Sequence, residues 1–79
     1  MDRDCIKENL FEEIEEICWG DIERNEEQTF KEDLGFDSLD EEYLLIKVER
    51  LFGIEIKDEE AESIKTVKEA IDLIEKKLQ

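Results

Sequence analysis

"EDLGFDSLDEEYLLIKVERLF", residues 32–52, contains the signals that decide the fold. An apolar pattern with helical spacing begins directly after Ser38 and ends before Gly53. At about 100° per residue, one broad face of this helix collects the side chains Leu44, Leu45, Val48, Leu51 and Phe52. We therefore predict a helix from near Ser38 to just before Gly53, with this face in an apolar core.

The residues before this stretch predict a first helix and a long loop. The helix spans about Asp4 to Trp19, with Asp2 or Asp4 as its cap and Gly20 as the left-handed residue that ends it. A polar loop then runs from Asp21 to about Asp37. The only side chains in this loop that we expect to anchor it in the core are Ile22, Phe30 and Leu34.

The residues after Gly53 predict a short loop and two more helices. We expect a loop at 54–56, held by its two isoleucines, and then a brief helix that Asp58 caps and that ends at about Ser63. Thr66 opens the last helix with "TVKE", a capping box. The apolar stripe of this helix consists of Val67, Ala70, Ile71, Ile74 and Leu78. The prediction is a single all-α domain over residues 1–79, a small four-helix bundle with a short third helix.

Composition limits the function before any motif is considered. The chain has 79 residues, with 26 acidic against 11 basic side chains and a net charge of -15. Such a surface cannot release counterions from a nucleic acid backbone, so basic protein surfaces are the expected partners. No apolar run reaches membrane-spanning length and no signal peptide is present, which predicts a cytoplasmic protein, and at this size a monomer.

The chain contains no histidine, which excludes a histidine-based catalytic triad and metal ligation by cysteine and histidine. Cys5 and Cys18 both fall in the first predicted helix, about 20 Å apart, and are expected to be free thiols. We therefore predict no histidine-based active site and no metal site.

The second predicted helix has a second apolar face. Leu39, Tyr43 and Ile46 lie roughly opposite the core face, together with Arg50, and Glu42 and Glu49 flank them. One interpretation is ordinary scattered surface hydrophobic residues. The other is a docking strip, apolar in its middle and acidic at its rim, that steers basic partners.

Ser38 has three possible roles. "SLDE" is a capping box that would make Ser38 the helix cap, although Asp37 can also cap. A hydrolytic nucleophile is disfavoured, because the chain has no histidine and no glycine elbow surrounds the serine. The third role is modification, because a phosphate-linked group on Ser38 would meet unpaired N–H groups and the positive end of the helix dipole.

Taken together, "EDLGFDSLDEE" and "IEIKDEEAESIKTVKEAIDLI" resemble the acyl carrier proteins of fatty acid and polyketide synthesis, from about Thr29 to Ile74. The first helix matches that family only in length and pattern. The resemblance implies that Ser38 carries 4′-phosphopantetheine, which a phosphopantetheinyl transferase attaches from coenzyme A. The protein would then be a carrier and not an enzyme. It would hold acyl groups as thioesters and deliver them to acyl-processing enzymes with basic docking patches. The residues expected to contact those partners are Asp37, Leu39, Asp40, Glu42, Tyr43, Ile46 and Glu49.

The sequence also departs from the usual family pattern. Glu42 and Tyr43 stand where an aliphatic residue and a glutamate are usual, Phe36 is bulkier than usual, and Lys57 stands where a proline is common. These departures predict a specialised partner set. Two alternatives remain open: a carrier of aminoacyl or peptidyl groups, and a helical adaptor that carries no arm.

Overall fold

Four helices account for most of the chain. The computed structural model describes residues 2–79 and contains α1 (Arg3–Cys18), α2 (Ser38–Phe52), α3 (Asp58–Ser63) and α4 (Val67–Leu78). Residues 2–79 contain no β-strand, only an isolated antiparallel bridge that joins Thr29 to Thr66. The predicted all-α architecture, with its long loop and short third helix, is confirmed.

Side chains cap the first turns of α1 and α4. The Asp2 carboxylate accepts a hydrogen bond from the Cys5 amide at 2.9 Å. At α4, Thr66 Oγ1 accepts from the Glu69 amide at 3.2 Å, and Glu69 Oε1 accepts from the Thr66 amide at 3.0 Å. The capping box predicted at Thr66 is therefore confirmed. Asp58, in contrast, does not cap α3 but is its first residue, and the Glu60 carboxylate accepts from the Lys57 amide before it.

The end of α1 differs from the prediction. The left-handed residue is Trp19, with φ 62° and ψ 42°, and not the neighbouring Gly20. Two hydrogen bonds hold this earlier turn by drawing the following segment back onto α1. Ile22 N donates to Glu15 Oε2 at 3.2 Å, and Arg24 donates to Glu15 Oε1 at 2.9 Å.

The core lies between α1, α2 and α4, and two residues of the long loop complete it. The buried side chains are Ile6, Leu10, Phe11, Ile14, Phe30, Phe36, Leu44, Val48, Phe52, Val67, Ala70, Ile71 and Ile74. The predicted stripe of α4 is buried except for Leu78, which packs at the edge of the core. Ile54 and Ile56 also pack against it, as expected for a pinned loop.

Leu51 was predicted to face the core but is 46% exposed. The buried line of α2 runs through Leu44, Val48 and Phe52 at four-residue steps. At about 100° per residue, Leu45 and Leu51 lie equally far from the centre of this line, on opposite sides of it. Leu45 is half-buried on the side that faces Ala61 and Ile64, whereas Leu51 lies on the side that faces solvent.

The Glu69 carboxylate generates a prediction about pH. Hydrogen bonds from the amides of Lys65 and Thr66 lower the pKa of Glu69 below its usual value. A carboxyl whose folded pKa is depressed contributes stability above its unfolded pKa of about 4.3, and this stability is lost as pH falls through the folded pKa. Glu69→Gln should therefore be less stable than the wild type at pH 7, and the gap should narrow below about pH 4.3.

Urea unfolding of both proteins between pH 3 and pH 7 measures this gap. Glu55→Gln, at an exposed position between α2 and α3, is the control for loss of one negative charge. A gap between wild type and Glu69→Gln that stays constant over the whole range would contradict the assigned role of Glu69.

Candidate functional site

The loop before α2 is held rigidly enough to fix where Ser38 lies. Phe36 is buried, its ring centroid is 5.6 Å from that of Phe30, and its amide donates to the Phe30 carbonyl at 2.8 Å. Gly35 precedes it with φ 69°, a backbone conformation that side-chain-bearing residues adopt at a cost. Sequence reasoning missed Phe36 as an anchor, although a bulky aromatic residue in a polar loop is a signal that could have indicated it.

Asp37, and not Ser38, caps α2. Asp37 Oδ1 accepts from the Asp40 amide at 2.9 Å, and Asp40 Oδ2 accepts from the Asp37 amide at 3.2 Å. Of the two caps that the sequence allowed, Asp37 is therefore the one used, and the alternative box between Ser38 and Glu41 does not form. Because the helix begins one residue after the cap, Ser38 occupies the first helical position, and its side chain takes no part in the capping hydrogen bonds.

The Ser38 hydroxyl is consequently available for chemistry. Its residue is exposed, and no hydrogen bond joins its Oγ to any other residue within 2–79. The amides of Ser38 and Leu39 belong to the first turn, whose N–H groups have no partner within the helix. A phosphodiester on this oxygen would meet those N–H groups and the positive end of the dipole of α2.

Chemistry that starts at Ser38 itself has no support in its surroundings. The chain has no histidine, and the neighbouring carboxylates of Asp37 and Asp40 are engaged with backbone amides of the cap. No base is thus placed to activate the serine as a nucleophile. The arrangement suits a serine that another enzyme modifies, and the site fits a phosphate-linked prosthetic group.

The second apolar face of α2 points to solvent, as predicted. Leu39 is 74% exposed, and Tyr43 and Ile46 are each 45% exposed. Glu42 is exposed beside them, and Lys47 Nζ lies 5.5 Å from the centre of the Tyr43 ring. We call Leu39, Tyr43 and Ile46 the α2 strip.

Glu49 does not belong to the rim of the α2 strip in the way that we predicted. Its residue is half-buried, and its Oε2 accepts a hydrogen bond from the Ile56 amide at 2.8 Å. The carboxylate therefore holds the loop after α2 against that helix. Helical periodicity could not show this hydrogen bond of Glu49. Glu42 is therefore the exposed acid that remains beside the α2 strip.

An apolar cavity of about 150 Å³ opens between α2, α3 and α4. The residues around it are Leu10, Phe30, Glu41, Leu44, Leu45, Val48, Ile56, Ala61, Glu62, Ile64, Ala70 and Ile74. Its only ionisable lining groups are Glu41 and Glu62, on α2 and α3. The first turn of α2 thus contributes both the exposed serine and, three residues later, one wall of the cavity.

Two further features, a metal-binding cluster and a membrane-spanning helix, are absent from residues 2–79. Within 2–79, no three cysteine, aspartate or glutamate side chains are grouped so that they could hold a metal ion. None of the helices in this part of the chain has both the length and the apolar character needed to cross a membrane.

Comparison with known proteins gives a consistent result. The family described as "Phosphopantetheine attachment site" matches residues 8–74. An acyl carrier protein of Buchnera aphidicola subsp. Acyrthosiphon pisum (strain Tuc7) is 43% identical over 74 residues, which cover 87% of this chain and 92% of that protein. An acyl carrier protein of Rubrobacter xylanophilus is 42% identical over 73 residues, covering 86% of this chain and 90% of the relative.

A solved structure extends the likeness to the fold. The crystal structure of an acyl carrier protein from Thermotoga maritima matches with a TM-score of 0.84 at 42% identity, covering 99% of this chain and 92% of that one. The similarity therefore includes α1, whereas sequence reasoning had limited the close resemblance to the region after Thr29.

The cap assignment generates a second prediction. Asp37→Ala should lower the free energy of unfolding by about 1 kcal/mol, because it leaves an amide of the first turn without its acceptor. Ser38→Ala should change it by less than about 0.5 kcal/mol, as expected for an exposed side chain without partners. Chemical denaturation of the two variants and of Asp37→Asn, which retains an acceptor oxygen, measures the difference. A larger loss for Ser38→Ala than for Asp37→Ala would show that the serine is the cap after all.

Proposed function

The chain belongs to the acyl carrier proteins, and we propose that Ser38 is the attachment site of the family's prosthetic group, a covalent 4′-phosphopantetheine. The proteins of this family are carriers and not enzymes. The observation that carries this proposal is the exposed hydroxyl of Ser38 at the first position of α2, with the cap supplied by Asp37. When bound, the group supplies a thiol that holds acyl intermediates as thioesters.

The part of this chain in the attachment reaction is to present a hydroxyl in a fixed place. Phe36 and the capping box define where α2 begins, so the position of Ser38 is set before any partner binds. We propose that a base of the transferase takes the proton of the hydroxyl, since Asp37 and Asp40 each use one carboxylate oxygen in the cap. A phosphopantetheinyl transferase is accordingly the first partner that the family implies.

The apolar cavity favours acyl over aminoacyl or peptidyl cargo. An apolar cavity of about 150 Å³ is large enough to hold a benzene molecule. The cavity in this protein has the same volume, so it could hold an alkyl segment of about six carbon atoms. Peptide groups would lose their hydrogen bonds to water in such a lining, whereas an alkyl chain gains from leaving water. We therefore propose that acyl chains enter between α2, α3 and α4, next to Ala61 and Ile64.

The α2 strip is the surface that we propose for contact with the transferase and with acyl-processing enzymes. It begins one residue after Ser38, so a protein that reaches the arm also meets Leu39. Asp37, Asp40 and Glu42 add negative charge at the same end of α2, and the net charge of -15 favours basic partner surfaces. The role that we propose for Glu49 in partner binding is indirect: its carboxylate holds the loop after α2 in place beside the contact surface.

The pathway that we propose is a cytoplasmic one for fatty acids, polyketides or a related specialised product. Tyr43 stands where the resemblance leads one to expect a glutamate, and it lies exposed in the middle of the α2 strip. A partner that reads this strip meets an aromatic ring in place of a charge. This favours a dedicated set of partner enzymes over the general fatty-acid enzymes.

Mass spectrometry tests the attachment site directly. Incubation with coenzyme A and a broad-specificity phosphopantetheinyl transferase should add the mass of one phosphopantetheine per chain. Ser38→Ala should gain none, while Ser63→Ala, which removes the only other serine, should be modified as fully as the wild type. Modification of Ser38→Ala, or failure of the folded wild type with several transferases, would refute the proposal.

The same assay examines the α2 strip. Leu39→Ala and Ile46→Ala should slow the loading of Ser38, because each removes apolar contact area from the docking surface. Leu51→Ala is the matched control, since Leu51 is exposed to the same degree on the same helix but lies outside the strip. Equal loading rates for Ile46→Ala and Leu51→Ala would exclude Ile46 from the docking surface.

A further inference from the structure

The fold explains the left-handed turn at the end of α1, but not why a tryptophan makes this turn. Trp19 is 93% exposed, so it adds almost nothing to the core. It also adopts a left-handed backbone conformation, φ 62°, which a bulky residue takes only at a cost in free energy. Gly20 follows directly and would take this conformation without strain. An exposed aromatic side chain held in a strained position indicates a role outside the fold.

Trp19 borders a surface groove between the end of α1 and the beginning of α2. The other residues of the groove are Glu16, Ile17, Asp40 and Tyr43. Two aromatic rings and two carboxylates thus surround one depression, and its lining residues include no basic side chain. Lys47 Nζ lies 5.5 Å from the centre of the Tyr43 ring, so Trp19 is the ring that a partner's cation would meet. Tyr43 is also the central residue of the α2 strip, so the groove continues the proposed docking surface onto α1.

The carboxylates of this groove are not neutralised from within the chain. Neither Glu16 nor Asp40 forms an ion pair in the part of the structure that covers 2–79, and one Asp40 oxygen remains outside the capping box. The pKa of the neighbouring Cys18 thiol is raised by burial and by the negative charges of Asp40 and Glu15. The groove therefore combines negative potential with aromatic surface.

We propose that this groove binds an arginine side chain from the basic surface of a partner protein that docks on α2. A guanidinium group is planar and weakly hydrated, so it stacks on an indole ring while its edge donates to carboxylates. Trp19 supplies the ring and Glu16 and Asp40 supply the acceptors. This inference rests on the proposed function for the identity of the partner, which is the phosphopantetheinyl transferase that loads Ser38.

A peptide experiment tests the chemistry of the groove without any enzyme. The probe is acetyl-Gly-Arg-Gly-amide, and the control peptide has citrulline, an uncharged analogue of arginine, in its place. Trp19 is the only tryptophan of the chain, so its fluorescence and the NMR shift of its indole N–H report on the groove directly. The arginine peptide should shift both signals saturably, and the citrulline peptide should bind at least about fivefold more weakly.

Variants separate the two parts of the groove. Glu16→Gln should raise the dissociation constant of the arginine peptide about threefold. Glu12→Gln, one turn away on α1 and outside the groove, should leave this constant unchanged. Trp19→Phe should retain most of the affinity for the arginine peptide, and Trp19→Leu should lower this affinity about fivefold. Because these variants lack the tryptophan, their binding is measured from the NMR amide shifts of Asp40 and Tyr43. Equal binding of the two peptides, or unchanged binding by Trp19→Leu, would overturn the proposal.

The transferase assay then tests use of the groove by a partner. Trp19→Leu should raise the KM for the carrier about fivefold while the final extent of Ser38 loading stays complete. Trp19→Gly, which relieves the left-handed strain, serves as the second variant if the leucine protein melts early. An unchanged KM for both variants would show that the transferase does not contact the groove and would refute its role in docking. Failure of the wild type to load would instead count against the proposed function, and the peptide result would still stand.

Discussion

The hydrogen bonds between Asp37 and Asp40 are the constraint on which the rest of the site depends. Each carboxylate accepts from the backbone amide of the other residue, at 2.9 and 3.2 Å, and the pair ends the loop and begins α2. Since the cap needs nothing from Ser38, the serine is left exposed at the first helical position. The same register turns Leu44, Val48 and Phe52 into the core and leaves the α2 strip in water. Under the proposed function, helix capping and attachment of the arm are thus the roles of adjacent but different side chains.

The fold accommodates its high negative charge by using its few cations at specific junctions. Arg3 lies 2.8 Å from Glu26 and 2.6 Å from Asp72, so one guanidinium joins α1 to the long loop and to α4. Arg24 reaches Glu8 and Glu15, and its guanidinium lies over the Phe11 ring at 5.7 Å. Basic side chains placed in this way hold helices and loops together and leave Glu42 exposed beside the α2 strip. The net charge of -15 that remains is consistent with the basic partner surfaces that we propose.

Much of this architecture could be predicted from local sequence patterns. The stripe of α4 and its Thr66 capping box follow from spacing alone, as do the bounds of α2 and the outward direction of Leu39 and Ile46. These features depend on contacts between residues a few positions apart, which periodicity and capping rules describe.

The errors have a different origin, because they concern contacts that spacing does not encode. Trp19 replaces Gly20 as the left-handed residue because Ile22 and Arg24 bind back to Glu15, and Glu49 is drawn inward by the Ile56 amide. Both cases involve hydrogen bonds between a helix and the loop that follows it. The choice of Asp37 over Ser38 as the cap was left open by the sequence, since both residue types favour that position. Geometry resolves this choice, and it is the one that matters most for function.

The most direct test of the central claim is the mass of the protein purified from its own host. If Asp37 caps α2 and leaves Ser38 free for an arm, the intact mass should show a population that carries one phosphopantetheine. Fragmentation should place that group on Ser38 and nowhere else. A protein that is entirely unmodified in cells with an active transferase, or one modified at Ser63 or at a cysteine, would contradict the account.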